Sequence, residues 1–293
     1  MPMAGSLEGL AYLNGCPLTF DRHTFSAFKT ILYGIAQVNV VREPALQNRR
    51  HHGLSVSNIL HTRYHLSMVR SAAPFIARDK LINGRTYLAR RRLAKALEQV
   101  RSTDLGVTFT IKYLPYQLYP DAPQEGEDKY AWYRDAKFNG DEEHMRKYVV
   151  LMTAYGKAEG IAYKFGGRVG NTLQAHRVIQ LVQEAKGPDA AEKVVDSLYR
   201  QYFEEEQHPS SKETLLKALG KAGLSETEAK KLVEDEDEGL MDVKMLIREQ
   251  AGNGVDAVPY VVFEGKRRDF TLEGCKEVDE YVKVLQQVAK ESG

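Results

Sequence analysis

The chain has 293 residues, of which 43% are hydrophobic, and it carries a formal net charge of +1. This length and composition allow a substantial core in one large domain or two small ones. The near-zero charge gives no global field that would favour nucleic acid or a membrane surface as partner. The longest apolar stretch, Ile31 to Val41, falls short of the roughly 18 to 20 residues of a membrane span.

The first 80 residues differ in composition from the rest. They contain nine Lys+Arg, four Asp+Glu and five of the eight histidines. Met1 to Cys16 lacks the basic start and apolar centre of a secretory signal, whereas Gln47 to Arg78 is basic, free of acids and faintly like a transit segment. We therefore predict an atypical, poorly ordered extension over residues 1–80 and a cytoplasmic protein, with mitochondrial import as the alternative.

Two segments after this extension have clear periodicity. From Tyr87 to Arg101, apolar residues recur on one face of a helix, and the basic residues fall elsewhere; the apolar positions are Leu88, Leu93, Ala96, Leu97 and Val100. Val107 to Tyr113 alternates with period two and is rich in β-branched and aromatic residues, which predicts a strand.

The remainder reads as a helical block followed by a strand and a helix. Between about Asp141 and Gln250, glycine and proline stops predict several short helices, and Ser225 with Glu228 forms the pattern of a capping box. The run V-P-Y-V-V-F then predicts a buried strand, and Lys276 to about Ala289 a last amphipathic helix. This order predicts an α/β layer interrupted by an all-helical domain.

Several segments together resemble the DsbA-like thioredoxin-domain family, close to its fungal FrnE-like and 2-hydroxychromene-2-carboxylate isomerase members and related to kappa-class glutathione transferases. The resemblance covers roughly Thr86 to Lys290 and is carried, in order, by T-Y-L-A-R-R-R-L-A-K-A-L (86–97), Y-L-P-Y-Q-L-Y-P (113–120), F-G-G-R-V-G-N-T-L-Q-A-H-R (165–177), L-Y-R-Q-Y-F-E-E-E (198–206) and G-V-D-A-V-P-Y-V-V-F (254–263).

The resemblance implies a thioredoxin-like fold in four parts. These are the extension (1–80), a first thioredoxin-like part (81–140), the helical insertion domain (141–250) and a second thioredoxin-like part (251–293). It also implies that Pro259 is a cis-proline beside the active site. The backbone groups of Val258 would then be available to pair with an extended cysteinyl peptide such as glutathione.

The family's catalytic motif, a C-P-W-C-Y or C-P-W-T-Y stretch at the start of the first helix, is absent. A cysteine at a helix N-terminus has a lowered pKa, which populates the nucleophilic thiolate. Here the stretch is N-G-R-T-Y, so Asn83 stands at the first cysteine's place and Thr86 at the second's. Because neither side chain can form a disulfide, ordinary dithiol exchange is chemically excluded. We hypothesise that residues 1–80, from an alternative or wrongly assigned first exon, replace the family's first strand and catalytic cysteine.

Seven residues are candidates for the site. Thr86 and Asn83 are the catalytic candidates, Thr86 as a hydroxyl donor to a bound thiolate or simply a first-turn residue, and Asn83 also as a helix N-cap. In relatives the corresponding serine matches the first cysteine, so Thr86 lies one turn further along. The substrate-binding candidates are Val258, Pro259, Asn171, Thr172 and His176, with His176 and Arg177 also able to fix the two domains together.

The favoured function is a DsbA-like oxidoreductase fold for thiol or glutathione-dependent chemistry that lacks the usual cysteines. The alternatives are a non-catalytic module that binds thiols or peptides, and a transferase or isomerase that uses a hydroxyl. We expect no tightly bound cofactor and no metal, with glutathione as co-substrate. The expected partner is a small-molecule thiol or cysteinyl peptide, not nucleic acid or membrane, and a homodimer is compatible with the sequence. Cys275, which opens the last helix, is expected to have a packing role.

Overall fold

The computed structural model of the protein describes residues 84–103 and 105–292 in full, and earlier in the chain only the backbone of three strands. The elements in chain order are β1 (Tyr12–Leu13), β2 (Cys16–Pro17), β3 (Ile35–Val41), α1 (Gly84–Arg101), β4 (Thr108–Leu114), β5 (Glu127–Asp128), α2 (Lys129–Phe138), α3 (Glu142–Ala158), β6 (Arg168–Val169), α4 (Leu173–Lys186), α5 (Pro188–Phe203), α6 (Lys212–Lys221), α7 (Glu226–Glu234), α8 (Leu240–Gly252), β7 (Tyr260–Glu264), β8 (Phe270–Glu273) and α9 (Val278–Ser292).

Strand β3 occupies an interior position of a four-stranded sheet with the order β4-β3-β7-β8. It pairs antiparallel with β4 along its whole length and parallel with β7. Val38, in its middle, lies opposite Ile111 on one side and Phe263 on the other. The inner edges of β4 and β7 therefore find backbone partners that they would otherwise lack.

This interior strand comes from the range 1–80 that the sequence marks as an atypical extension. It coincides with the end of the apolar stretch that runs from Ile31 to Val41. A small pair, β1 with β2, precedes it. The rest of that range lies outside the described residues, and the four-part division of the chain stays a prediction.

Helix α1 is buried on nearly every side. Its five predicted apolar positions are all buried, which confirms the amphipathic face. The expectation that the basic residues lie elsewhere is wrong for two of them, because Arg90 is only 7% exposed and Arg92 only 8%. The physical reason is that α9 packs along one side of α1 while acidic side chains from α5 and α3 reach it from others.

The helical block runs from α2 to α8 and begins at Lys129, earlier than the sequence pattern suggests. The capping box at Ser225 is confirmed, since its hydroxyl accepts from the Glu228 amide while the Glu228 carboxylate accepts from the Ser225 amide. Helix α4 covers the outer edge of β4, where Gln183 accepts from the Tyr113 amide at 2.8 Å and donates to the Tyr113 carbonyl at 3.0 Å. One glutamine side chain thus replaces a missing strand partner at this edge.

The final part of the chain completes the sheet. Strand β7 follows the Val258–Pro259 peptide bond, which is cis as the resemblance implies. The stretch that begins at Phe270 forms β8, a strand that the sequence analysis missed because it is short and only half-buried. Helix α9 then packs along α1, so that the sheet, α1 and α9 form one layered unit beside the helical block.

We predict that removing residues 1–44 prevents folding, whereas removing residues 1–30 does not, because only the longer deletion removes β3. Each buried backbone group left unpaired costs about 1–3 kcal/mol, and several such losses exceed the roughly 5–15 kcal/mol by which domains are stable. Soluble yield and thermal unfolding followed by circular dichroism measure the difference. A chain of residues 45–293 that unfolds cooperatively at the same temperature as the full chain would show that β3 is dispensable.

Candidate functional site

A cavity of about 30 Å³ lies where α1 begins, between the sheet and the helical block. Its lining includes Thr86, Arg90, Tyr113, His176, Gln180 and Pro259. A buried water needs roughly 10–15 Å³ measured in this way, so the cavity has room for about two. Three predicted site residues, Thr86, His176 and Pro259, therefore meet at one place although the sequence separates them widely.

Thr86 lies in the first turn of α1, where helix geometry leaves backbone amides without intrahelical partners. Its side-chain oxygen is buried and makes no hydrogen bond with any residue that the structure describes. A buried hydroxyl without a partner carries a desolvation penalty of about 1–3 kcal/mol. Of the two predicted catalytic residues, Thr86 is the one whose position is described. Its hydroxyl has no hydrogen-bond partner among the described residues.

Arg90 and Tyr113 form a polar cluster on another wall of the cavity. The Arg90 Nε donates to the Tyr113 hydroxyl at 2.8 Å, and its guanidinium also pairs with Glu192 and lies 3.5 Å from Asp196, both on α5. Burial raises the pKa of Tyr113 above its usual value, so the phenol keeps its proton at neutral pH. The sequence analysis missed both residues, because Arg90 is one of three consecutive arginines and Tyr113 only ends a strand pattern.

His176 is enclosed in α4 and is 2% exposed. Burial lowers its pKa to about 4, partly offset by a hydrogen bond with the backbone of Tyr116. The imidazole is therefore neutral at pH 7 and accepts a proton reluctantly. A general base works best with a pKa near the operating pH, so this geometry gives His176 a structural position in the cavity wall.

Asn171 lies outside the cavity lining and is saturated by local hydrogen bonds. Its amide group donates to the carbonyls of Pro120 and Ala122, and its side-chain oxygen accepts from the Gln117 side chain and the Leu173 amide. These bonds fasten the loop after β4 to the start of α4. The structure thus gives Asn171 a complete set of protein partners, which leaves it no free group for a ligand.

Two neighbours of Asn171 also lie away from the cavity. Thr172 is buried at the N-cap of α4 and its side chain makes no capping bond. Arg177 donates to the backbone carbonyls of Leu232 and Glu238, so it holds α4 to the segment between α7 and α8 inside the helical block.

Val258 and Pro259 lie at the rim of the cavity. Pro259 lines it, while Val258 packs with Tyr116 and Val255 in a small apolar cluster next to it. Neither backbone polar group of Val258 is hydrogen-bonded within the part of the chain that the structure describes, whereas the Pro259 carbonyl accepts from Gly274 at 2.8 Å. At the rim, the amide and carbonyl of Val258 thus have no hydrogen-bond partner among the described residues, and they lie beside an apolar surface.

Asn83 lies outside the described residues, and Cys275 does not line the cavity. Cys275 precedes α9, where its sulfur is 3.7 Å from the Arg92 guanidinium, and burial raises the pKa of its thiol to about 11. Because a thiol with this pKa is protonated at neutral pH, Cys275 keeps the packing role expected from the sequence.

The fold and the cavity together define a thioredoxin-like α/β protein with a helical insertion. Residues 86–286 match the model of the DSBA-like thioredoxin domain, and the chain therefore belongs to that family. A crystal structure of a probable DsbA oxidoreductase from Streptomyces coelicolor is similar, with 20% identity, a TM-score of 0.57, and coverage of 72% of this chain and 87% of that one. No curated protein matches the chain.

The family match begins at Thr86, which stands at the second cysteine's place in the family motif. This is the point at which the sequence analysis places the departure from the family pattern. Within the described residues, no helix is both long and apolar enough to cross a membrane.

We predict that His176 makes the protein sensitive to mild acid. The unfolded imidazole takes up a proton at a pKa of 6.5, whereas the folded one resists until about pH 4. The unfolded state therefore binds more protons in this interval, and stability should fall by up to roughly 3 kcal/mol as the pH is lowered from 6.5 to 4.

The measurement is the free energy of unfolding in urea across this pH range for the wild type, His176→Gln and, as control, His144→Gln on exposed α3. The slope attributable to one proton should disappear in the His176 variant and persist in the control. An unchanged slope in His176→Gln would contradict the assignment.

Proposed function

We propose that this protein binds glutathione or a cysteinyl peptide with the thiol in the cavity beside Thr86, and that it acts through this hydroxyl in a transferase or isomerase reaction. The observation that carries the proposal is the buried Thr86 oxygen at the start of α1, which has no hydrogen-bond partner among the described residues, in a residue that lines the cavity together with Pro259. Dithiol exchange is not proposed, since Cys16 and Cys275 are the chain's only cysteines.

The size of the cavity supports a thiol as the group that enters it. Space for about two waters accommodates the methylene and sulfur of a cysteine side chain, but not a whole tripeptide. The rest of glutathione would lie outside, along the rim at Val258. There its backbone would pair with the amide and carbonyl of Val258, which have no hydrogen-bond partner among the described residues, as in strand addition.

The charge distribution supports binding of the thiolate form. The first turn of α1 contributes the positive end of the helix dipole, and a hydroxyl bond to an anion is worth roughly 1.5–3 kcal/mol. Such a bond lowers the pKa of the bound thiol by about one to two units. Activation of the nucleophile in this way needs no protein cysteine, and the thiol proton leaves to solvent because His176 is a poor acceptor.

The test is calorimetric titration of glutathione into the wild type, Thr86→Val and Thr86→Ser, with the thiolate followed by its ultraviolet absorbance across pH. We expect the wild type and Thr86→Ser to lower the pKa of the bound thiol. Thr86→Val has the same shape but no hydroxyl, and it should lose about one to two units of that effect. S-methylglutathione, which has no ionisable thiol, should bind all three proteins alike.

Turnover separates the enzymatic proposal from its alternative. Conjugation of glutathione to chlorodinitrobenzene that is lost in Thr86→Val supports the transferase, whereas thiolate binding without any turnover supports the non-catalytic module. Equal thiol pKa values in the wild type and Thr86→Val would overturn the role of Thr86, and absence of glutathione binding would overturn the proposed function.

A further inference from the structure

A second residue with a hydroxyl group, Tyr113, lines the same cavity. Its hydroxyl oxygen accepts from Arg90 Nε at 2.8 Å. That hydroxyl donates no hydrogen bond to any residue in the described part of the chain. The hydroxyl oxygen therefore already accepts a hydrogen bond from a cation, while the hydroxyl proton has no acceptor among the described residues.

The cation is fixed in place. Arg90 is 7% exposed, pairs with Glu192 and has Asp196 at 3.5 Å, so the guanidinium is held from the side of α5. A hydroxyl that accepts from a guanidinium is polarised toward donation, because hydrogen bonds in series strengthen one another and charged partners strengthen them most. Arg90 is thus a positioning residue that makes Tyr113 a better donor.

The backbone that carries Tyr113 is also held rigidly. Gln183 bonds to both its amide and its carbonyl, and Gln180 donates to the same carbonyl at 2.9 Å. Donors that are fixed before binding cost little reorganisation when an anion arrives. Thr86 and Tyr113 thus both line a space of about 30 Å³, and the backbone that carries Tyr113 is fixed before a ligand arrives.

We infer that Tyr113 is a second hydrogen-bond donor to the ligand, and that the cavity selects a small sulfur monoanion, namely a thiolate or a hydrosulfide ion, over a neutral group. Identification of the natural ligand as glutathione rests on the proposed function. The donor role of Tyr113 does not, because it requires only an anion small enough to enter.

The test uses sodium hydrosulfide as a probe that fits the cavity without any contact at the Val258 rim. Calorimetry on the full chain compares the wild type, Tyr113→Phe and the control Tyr281→Phe, a buried tyrosine outside the lining. The dissociation constant should rise about tenfold to a hundredfold in Tyr113→Phe, the effect of one charge-assisted hydrogen bond, and stay constant in Tyr281→Phe.

A further variant guards against a purely structural effect, since Tyr113→Phe removes the acceptor of the buried Arg90 Nε. Difluorotyrosine at position 113 keeps the shape and the hydroxyl but makes it a stronger donor, so hydrosulfide should bind several-fold more tightly. A structural role alone predicts no such gain. If Tyr113→Phe does not fold, the sign of the difluorotyrosine effect decides.

The outcomes also separate this inference from the proposed function. Hydrosulfide binding that depends on Tyr113 supports the inference even if glutathione does not bind, in which case only the proposed function fails. If glutathione binds but hydrosulfide binds equally well to the wild type and Tyr113→Phe, or fails to bind at all, the donor role of Tyr113 is wrong while the proposed function stands. Weaker binding to the difluorotyrosine protein would likewise overturn it.

Discussion

Strand β3 pairs with a neighbouring strand on each side, and this pairing sets the distance between the strands that lead to the site. Tyr113 on β4 and Pro259, the residue before β7, both line the cavity, and β4 and β7 are not hydrogen-bonded to each other. Ile35, the first residue of β3, pairs with Leu114 on one side and with Tyr260 on the other. Since neighbouring strands lie about 4.8 Å apart, this interposed strand fixes the two walls at roughly twice that distance.

Helix α1 meets the helical block through charge as much as through apolar packing. Arg90 reaches α5, and Arg92 reaches Glu159 at the end of α3 and Glu277 before α9. Removing one partner of a buried ion pair is costly, whereas the intact pair contributes little net stability. These arginines therefore contribute more to the orientation of α1 than to its stability. The orientation of α1 in turn determines where Thr86 lies relative to Tyr113.

Local signals made part of this structure predictable. The apolar face of α1, the strand that includes Phe109 and Ile111, the capping box at Ser225 and the position of Pro259 all follow from periodicity, turn chemistry or family resemblance. These signals do not predict which segment forms the interior strand. Ile35–Val41 pairs with β4, which is distant in the sequence, and no local pattern encodes such a long-range pairing. Likewise, three consecutive arginines look like a solvated face until acidic partners from other helices are in place.

The same reasoning explains why the candidate site was only partly predicted. Thr86 and Pro259 were found because the family motif marks their positions, but Tyr113 was not, since its proposed role depends on Arg90 in the preceding helix and on glutamines from α4. Asn171 shows the converse: a polar residue in a family motif, chosen as a ligand contact, has all its hydrogen-bonding capacity taken by the loop after β4. A polar side chain is a candidate for ligand binding only when its hydrogen-bonding capacity is not already used within the protein. By that criterion the proposed role of the cavity at the start of α1 is to hold a sulfur anion, with the Thr86 hydroxyl on α1 and the Tyr113 hydroxyl on β4 as the donors.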